Sequence, residues 1–233
     1  MKSLTYGELS THPVSGFVFG DPESEVDPLK WAQVISHINL GLIDIYGQFH
    51  LGTKEIYVQM HEELEIYKIH SDFAVSNTAS LEDPKYIIDT PEQPFLDDIL
   101  KIEEIYDENG NLQPLNDFND EDSFYTTEPT TIQVPYSNDT NSFAIQYRMG
   151  HYTIPDDLTI NPADIELLHP THFNEPLQLF VGARMFHSLG GDNVAQGDRM
   201  YNMYINKIRD IERLGLYVMP ESSNAWFTRG GWV

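Results

Sequence analysis

The chain has 233 residues, 40% of them hydrophobic and 12% aromatic, with 13 basic and 37 acidic side chains, a formal net charge of −24 and no cysteine. Such a chain can bury a sizeable core, as one domain or two small ones. Lack of cysteine excludes disulfides, thiolate zinc sites and cysteine nucleophiles, and the acidity disfavours nucleic-acid binding, which needs Lys and Arg to neutralise phosphates.

Thr5 followed by Glu8 is a capping-box pattern, but Pro13 and Gly16 leave room only for a short helix. The start, Met1 to Glu8, lacks the apolar core of a signal peptide, and no apolar run reaches bilayer length. A protein made and folded in a cytoplasm, without a membrane partner, is expected. Pro22 to Asp27 reads as an acidic loop, and Asp27-Pro28 as the start of a long helix. In that helix Trp31, Ile35, Ile38, Leu42, Ile45 and Phe49 recur at the helical period, with Asp44 and Gln48 on other faces.

From Leu51 the period changes to two. Glu55 to Met60 and Leu64 to Ile69 alternate and are rich in strand formers, although His61-Glu62 between them is a poor hairpin signal. Ser71 to Pro94 reads as loop, with a short strand at Tyr86 to Ile88. Ile99 to Tyr106 is a strand, and Asn109-Gly110 tolerates the positive φ of a hairpin turn before Leu112 to Leu115 returns. Asn116 to Asp122 is a polar loop. Thr130 to Val134 and Ser142 to Met149 are two more strands, joined by the polar turn Ser137 to Asn141. Pro155 to Pro170 leads back to helix.

The stretch Phe173 to Leu214 reads as two antiparallel helices. Phe173, Leu177, Phe180, Val181 and Phe186 mark one face of the first, from Asn174 to Leu189, which Gly190-Gly191 stops. Asp192 is placed to cap the second through its carboxylate. There Met200, Tyr204, Ile208 and Ile211 line one side, with Val194, Met203, Ile205 and Leu214 near it, and Gly215 ends it. The tail from Gly215 to Val233 has no regular pattern, but it displays Trp226, Phe227 and Trp232 beside Arg229, residue types enriched at binding hot spots. Either it covers this chain's own helices or it orders against a neighbouring protein.

Charge is unevenly spread. From Thr171 onward six basic residues balance six acidic ones, whereas Glu82 to Asp122 holds fourteen carboxylates against Lys85 and Lys101. A surface past which DNA must slide without sticking should be acidic; acidity also simply confers solubility.

Little in the chain points to catalysis, a metal or a cofactor. His169-Pro170-Thr171-His172 with Glu175 offers two imidazoles and a carboxylate, but Pro170 keeps them off a shared helical face, and a loop leading into the helix is the better reading. Asn116 to Asp122 is oxygen-rich but lacks the glycine and closing glutamate of a calcium loop. Asp97-Asp98 and Glu103-Glu104 are adjacent on strand-like segments, so the members of each pair point apart. No nucleophile elbow or phosphate-cradling loop is found.

Three places carry a resemblance. His169-Pro170-Thr171-His172-Phe173 leads into a helix with Ala183-Arg184-Met185-Phe186, then a Gly-Gly break and a helix rich in Met and Tyr. Asp27-Pro28 opens a helix ending in Leu42-Ile43-Asp44-Ile45-Tyr46-Gly47-Gln48-Phe49. Phe95 to Ile102 leads into Tyr106-Asp107-Glu108-Asn109-Gly110. The chain thereby resembles the head-to-tail connector (adaptor) proteins of tailed double-stranded DNA bacteriophages. The resemblance implies a structural virion protein of the neck that forms a ring, typically twelvefold, between the portal and a tail tube or nozzle protein and extends the channel through which DNA passes without specific binding. By position it assigns Trp226, Phe227, Arg229 and Trp232 to portal contact.

The expected architecture is α+β. Residues 1–50 and 161–215 form a small antiparallel helical bundle, 51–160 an antiparallel β-rich insertion, and 216–233 an extended tail for docking. The alternatives are a tail or neck component that does not touch the portal, and a carbohydrate-binding or hydrolytic module.

Overall fold

The computed structural model describes residues 28–62, 64–135, 141–155 and 167–216. The Thr5–Glu8 pattern, the Pro22–Asp27 loop with its Asp27 cap, the Ser137–Thr140 turn and the connection over 156–166 lie outside them. The described chain is mixed α and β, with three helices and antiparallel sheets. It divides into two compact units, Met1–Leu51 with Thr153–Val233, and Gly52–Tyr152.

The first unit holds the helices. Helix α1, Pro28–Gln48, contains only Lys30, His37, Asp44 and Tyr46 as ionisable side chains. Of the face that the period predicted, Ile35, Ile38, Leu42, Ile45 and Phe49 are buried, joined by Val34 and Tyr46; the side chain of Trp31 lies outside what is described. A 3-10 turn, Thr171–Phe173, leads into helix α2, Asn174–Leu189. Sequence spacing gives α2 one apolar face, yet every residue from Pro176 to Ala183 is buried. A helix apolar on all sides needs cover on all sides. Close approach to α1 is possible because Gly41 has no side chain: a Cβ there would lie 2.7 Å from Leu177 Cδ1.

Gly190 and Gly191 take φ of 65° and 58°, the left-handed region that favours glycine, and end α2. Helix α3, Asn193–Leu214, follows. Asp192 does not cap it through its carboxylate, contrary to expectation. Its backbone is already helical, at φ −65° and ψ −15°, whereas a capping side chain acts from an extended residue. The first donors of α3 instead reach back to the glycine turn, Asn193 N–H to Gly190 O and Val194 N–H to Gly191 O. Met200, Tyr204, Ile208 and Ile211 are buried as expected, with Gly197 also buried one turn ahead of them. Val194, Met203 and Leu214 are exposed, because they sit on the flanks of that stripe. Gly215, at φ 62°, closes α3. Its N–H bonds to Glu212 O and that of Leu216 to Ile211 O, the paired bonds of a Schellman motif.

The second unit is built on two sheets. Its strands are β1 (Thr53–Gln59), β2 (Ile66–Lys68), β3 (Ile87–Ile88), β4 (Ile99–Asp107), β5 (Leu112–Gln113), β6 (Tyr125–Glu128), β7 (Thr131–Gln133) and β8 (Ser142–Met149). One sheet has the order β3-β1-β8-β4-β5, the other β2-β7-β6, and all named pairings are antiparallel. The sequence neighbours β1 and β2 therefore lie in different sheets, and so do β7 and β8. The expected Asn-Gly hairpin is present: β4 pairs with β5, and Gly110 has φ 79°. Strand β6 was not expected; Tyr-Thr-Thr-Glu is short and only half-buried, so its alternation is faint.

The core of this unit draws on both sheets. Ile56, Val58, Ile102, Ile105, Phe143, Ile145 and Tyr147 come from the five-stranded sheet, and Tyr67 and Ile132 from the other. Tyr67 packs edge-on against Tyr86 and Phe143, with ring centroids 5.0 and 5.7 Å away. Its buried hydroxyl accepts from His61 N–H at 2.8 Å, and that of Tyr86 donates to Lys68 O at 2.8 Å. Each tyrosine thus buries a large ring without stranding its polar end.

Candidate interaction surfaces

Trp226, Phe227, Arg229 and Trp232 lie outside the described residues. Two of the three segments that carry the adaptor resemblance lie in the helical unit, and there they meet. Tyr46, from the end of α1, donates its hydroxyl hydrogen to Leu168 O, just ahead of His169. Phe49 packs on Phe173 with ring centroids 5.0 Å apart. Tyr204, from the Met- and Tyr-rich helix α3, lies 5.3 Å from Phe180 and donates to the Asp44 carboxylate. Burial and the neighbouring Asp44 both push the Tyr204 hydroxyl pKa up, so it stays a donor. Asp44, off the core face as the period required, is therefore a polar pin between α1 and α3.

The outer face of α1 is unusual for so acidic a chain. Ser36, Leu40, Ile43 and Gly47, spaced four, three and four apart, are exposed, with Ile43 at 60%. The row carries no charge. A helix normally turns charged residues toward water, so an uncharged exposed stripe marks a surface suited to contact.

The motif around His169 does not converge on a metal. Glu175 pairs with Lys207 on α3 at 2.9 Å. His169 is buried, its Nδ1 lies 3.0 Å from Pro170 O, and among the described residues its Nε2 and that of His172 have no hydrogen-bond partner. Burial lowers the pKa of both imidazoles and favours the neutral form. Among the described residues no three His, Asp or Glu side chains are grouped to hold a metal ion, and no helix is long and apolar enough to cross a membrane.

In the second unit the adjacent carboxylates Asp97 and Asp98 do point apart, but they precede β4 rather than lie in it. Asp97, at φ 57°, accepts from the Ser71 N–H at 2.6 Å. Asp98 is buried, and its two oxygens take Tyr147 Oη–H at 2.8 Å and Lys54 Nζ at 2.5 Å. Sequence reasoning missed this buried ion pair. Its signal would have been Lys54, a cation at an inward position of an otherwise apolar face. The Asn116–Asp122 loop folds on its own groups: Asp117 Oδ1 accepts from Asn119 N–H and Asp120 Oδ1 from Asp122 N–H, both at 2.9 Å. These two carboxylates are spent on turns. Across residues 52–152 there are 21 acidic side chains and five basic ones, so this unit carries −16 of the −24.

Comparison with protein-family models and with curated proteins finds no match to the chain.

Proposed function

We propose that the chain is a structural adaptor of a phage neck: a homo-oligomeric ring, dodecameric by resemblance, that joins the portal at the capsid vertex to a tail tube or nozzle protein and extends the DNA channel. It works as architecture and not as an enzyme. In this reading the three helices are a small antiparallel bundle, the acidic β unit is an insertion in it, and residues 216–233 form a docking tail. Trp226, Phe227, Arg229 and Trp232 supply its portal contacts.

The observation that supports the reading is the meeting of α1, the His169–Phe173 turn and α3 through Tyr46, Phe49, Phe173 and Tyr204. Residues picked out for their likeness to the adaptors serve one packed unit. The uncharged row on α1 gives a second copy a place to bind. The acidic β unit suits a channel or tail-side surface, since carboxylates repel the DNA backbone. Removing Glu221–Val233 tests the tail. The shortened protein should keep its folded core and lose binding to the portal protein encoded by the same genome. Unchanged affinity would remove the tail assignment.

A further inference from the structure

The five-stranded sheet packs one face into the core. Its other face carries an ordered row that the adaptor reading does not use. The register aligns Ile88, Tyr57, Ala144, Tyr106 and Leu112, one residue from each strand in the order β3-β1-β8-β4-β5. Their alternation with the buried residues puts all five on the outer side. Ile88, Tyr57 and Leu112 are 48%, 54% and 54% exposed, while Ala144 at the centre is covered. The next row across the three central strands is Glu55, Gln146 and Glu104.

The outer face therefore repeats itself about β8. Strand β1 presents Glu55 and Tyr57, β4 presents Glu104 and Tyr106, and Gln146 and Ala144 lie between. Strands β1 and β4 are two inter-strand steps apart, about 10 Å. With only a methyl group at Ala144, the space between the two tyrosines is a cleft of about 400 Å³, lined by Glu55, Tyr57, Tyr106, Ala144 and Gln146 and bounded at one end by Glu108. The Tyr106 hydroxyl donates to Glu104, which pushes its pKa up to about 12. The neighbouring Glu55 carboxylate likewise raises that of Tyr57. The Tyr106 ring is held by its own glutamate. Among the described residues, neither glutamate has a Lys, Arg or His nitrogen within ion-pair distance.

We propose that this cleft docks a partner-protein segment that carries an arginine between apolar side chains. The guanidinium lies between the Tyr57 and Tyr106 rings and bonds to Glu55 and Glu104. The flanking apolar side chains cover Ile88 and Leu112. Charge complementarity selects the occupant. Two carboxylates without an ion-pair partner, on strands about 10 Å apart, favour a cation, aromatic walls favour a flat weakly hydrated one, and the apolar ends of the row need cover that a free ion does not give. Lysine fits less well, because its ammonium is a strongly hydrated point charge. Lys101 and Arg148 stand in the row beyond the glutamates, so the segment enters from the tyrosine side.

The test uses the full chain and a fluorescently labelled peptide amide, Gly-Leu-Arg-Leu-Gly, read by anisotropy at protein concentrations up to about 1 mM. It needs neither portal nor ring, so its outcome is separate from that of the adaptor reading. Saturable binding is expected, weaker by about tenfold when norleucine replaces the arginine and by about tenfold in the Glu55→Gln/Glu104→Gln double variant, which keeps an acceptor for the Tyr106 hydroxyl. Ala144→Leu, which fills the cleft from an outward position, should abolish binding while circular dichroism stays unchanged. Glu82→Gln, in a remote loop, should bind as the parent does. Absence of saturable binding, equal binding of the norleucine peptide, or equal weakening by Glu82→Gln would overturn the proposal.

Discussion

At Gly197 helices α2 and α3 cross without room for a side chain, and a single methyl group measures that closeness. A Cβ at 197 would lie 2.4 Å from His187 Cδ2, 2.6 Å from His187 Nε2 and 3.1 Å from Ala183 O. The imidazole can swing away, but it then gives up the Asp198 carboxylate, now 3.1 Å from its Nε2. The Ala183 carbonyl is backbone and moves only with its helix. Alanine is worth roughly 1 kcal/mol more than glycine inside a helix, while forcing a group into a filled contact costs about 1–3 kcal/mol. The balance is a net loss of up to about 2 kcal/mol, or a fall of up to about 8 °C in the midpoint of a domain this size. Gly47 is the matched control. It lies in the last turn of α1, where an added Cβ meets nothing within 4 Å. Gly47→Ala should therefore stabilise by about 0.5–1 kcal/mol. Thermal unfolding of both variants, followed at 222 nm and by calorimetry, gives the two signs. A Gly197→Ala variant as stable as Gly47→Ala would refute the close crossing and, with it, the packed helix unit.

Other outcomes follow from single contacts. Lys54→Met leaves the buried Asp98 carboxylate with only the Tyr147 hydroxyl. Because Lys54 keeps 38% of its side chain in solvent, the cost should be about 1–2 kcal/mol, below the 3–5 kcal/mol of a fully buried pair. Adding Asp98→Leu should restore much of the loss, and urea unfolding of the single and double variants checks both. The imidazoles of His37, His169 and His172 have folded pKa values below 6.5 because they are buried. Above pH 6.5 they are neutral in both states and cost nothing. As the pH falls from 6.5 through their lower folded values, the unfolded chain binds more protons and stability is lost. The urea midpoint of the helical unit should drop between pH 7.5 and 5.5, and the drop should shrink in His169→Gln; an equal drop in that variant would remove His169 from the account. Tyr204→Phe removes the hydroxyl that pins α3 to Asp44 on α1. It should cost about 1–3 kcal/mol, as expected for a hydrogen bond to a charged group, and a double-mutant cycle with Asp44→Ala should show strong coupling between the two.

Local chemistry made part of this structure readable in advance. Gly190, Gly191, Gly215 and Gly110 all adopt the positive φ that their positions called for, so the helix ends and the hairpin fall where the sequence put them. Strand Ser142–Met149 kept its sequence boundaries because Phe143, Ile145 and Tyr147 recur at period two and all enter the core. What the sequence could not show is set by partners distant in the chain. Strand β8 pairs with β1 and β4 rather than with its neighbour β7, and nothing local to β8 encodes that choice. The outer row from Ile88 to Leu112 is visible only once five strands are in register. Asp98 looked like one of many accidental carboxylates until Lys54 and Tyr147 were brought to it. Asp192 had the right side chain for a cap and the wrong backbone. The tail aromatics, Trp226, Phe227 and Trp232, lie beyond the described residues, so their part in the reading rests on the resemblance and on composition.

The adaptor reading meets its most direct trial in electron microscopy of the purified chain mixed with purified portal from the same genome. The account predicts a closed ring of this protein, coaxial with the portal and seated against it. A chain that stays monomeric and leaves the portal bare at concentrations of about 10 μM, well above the dissociation constant of a stable assembly, would contradict it.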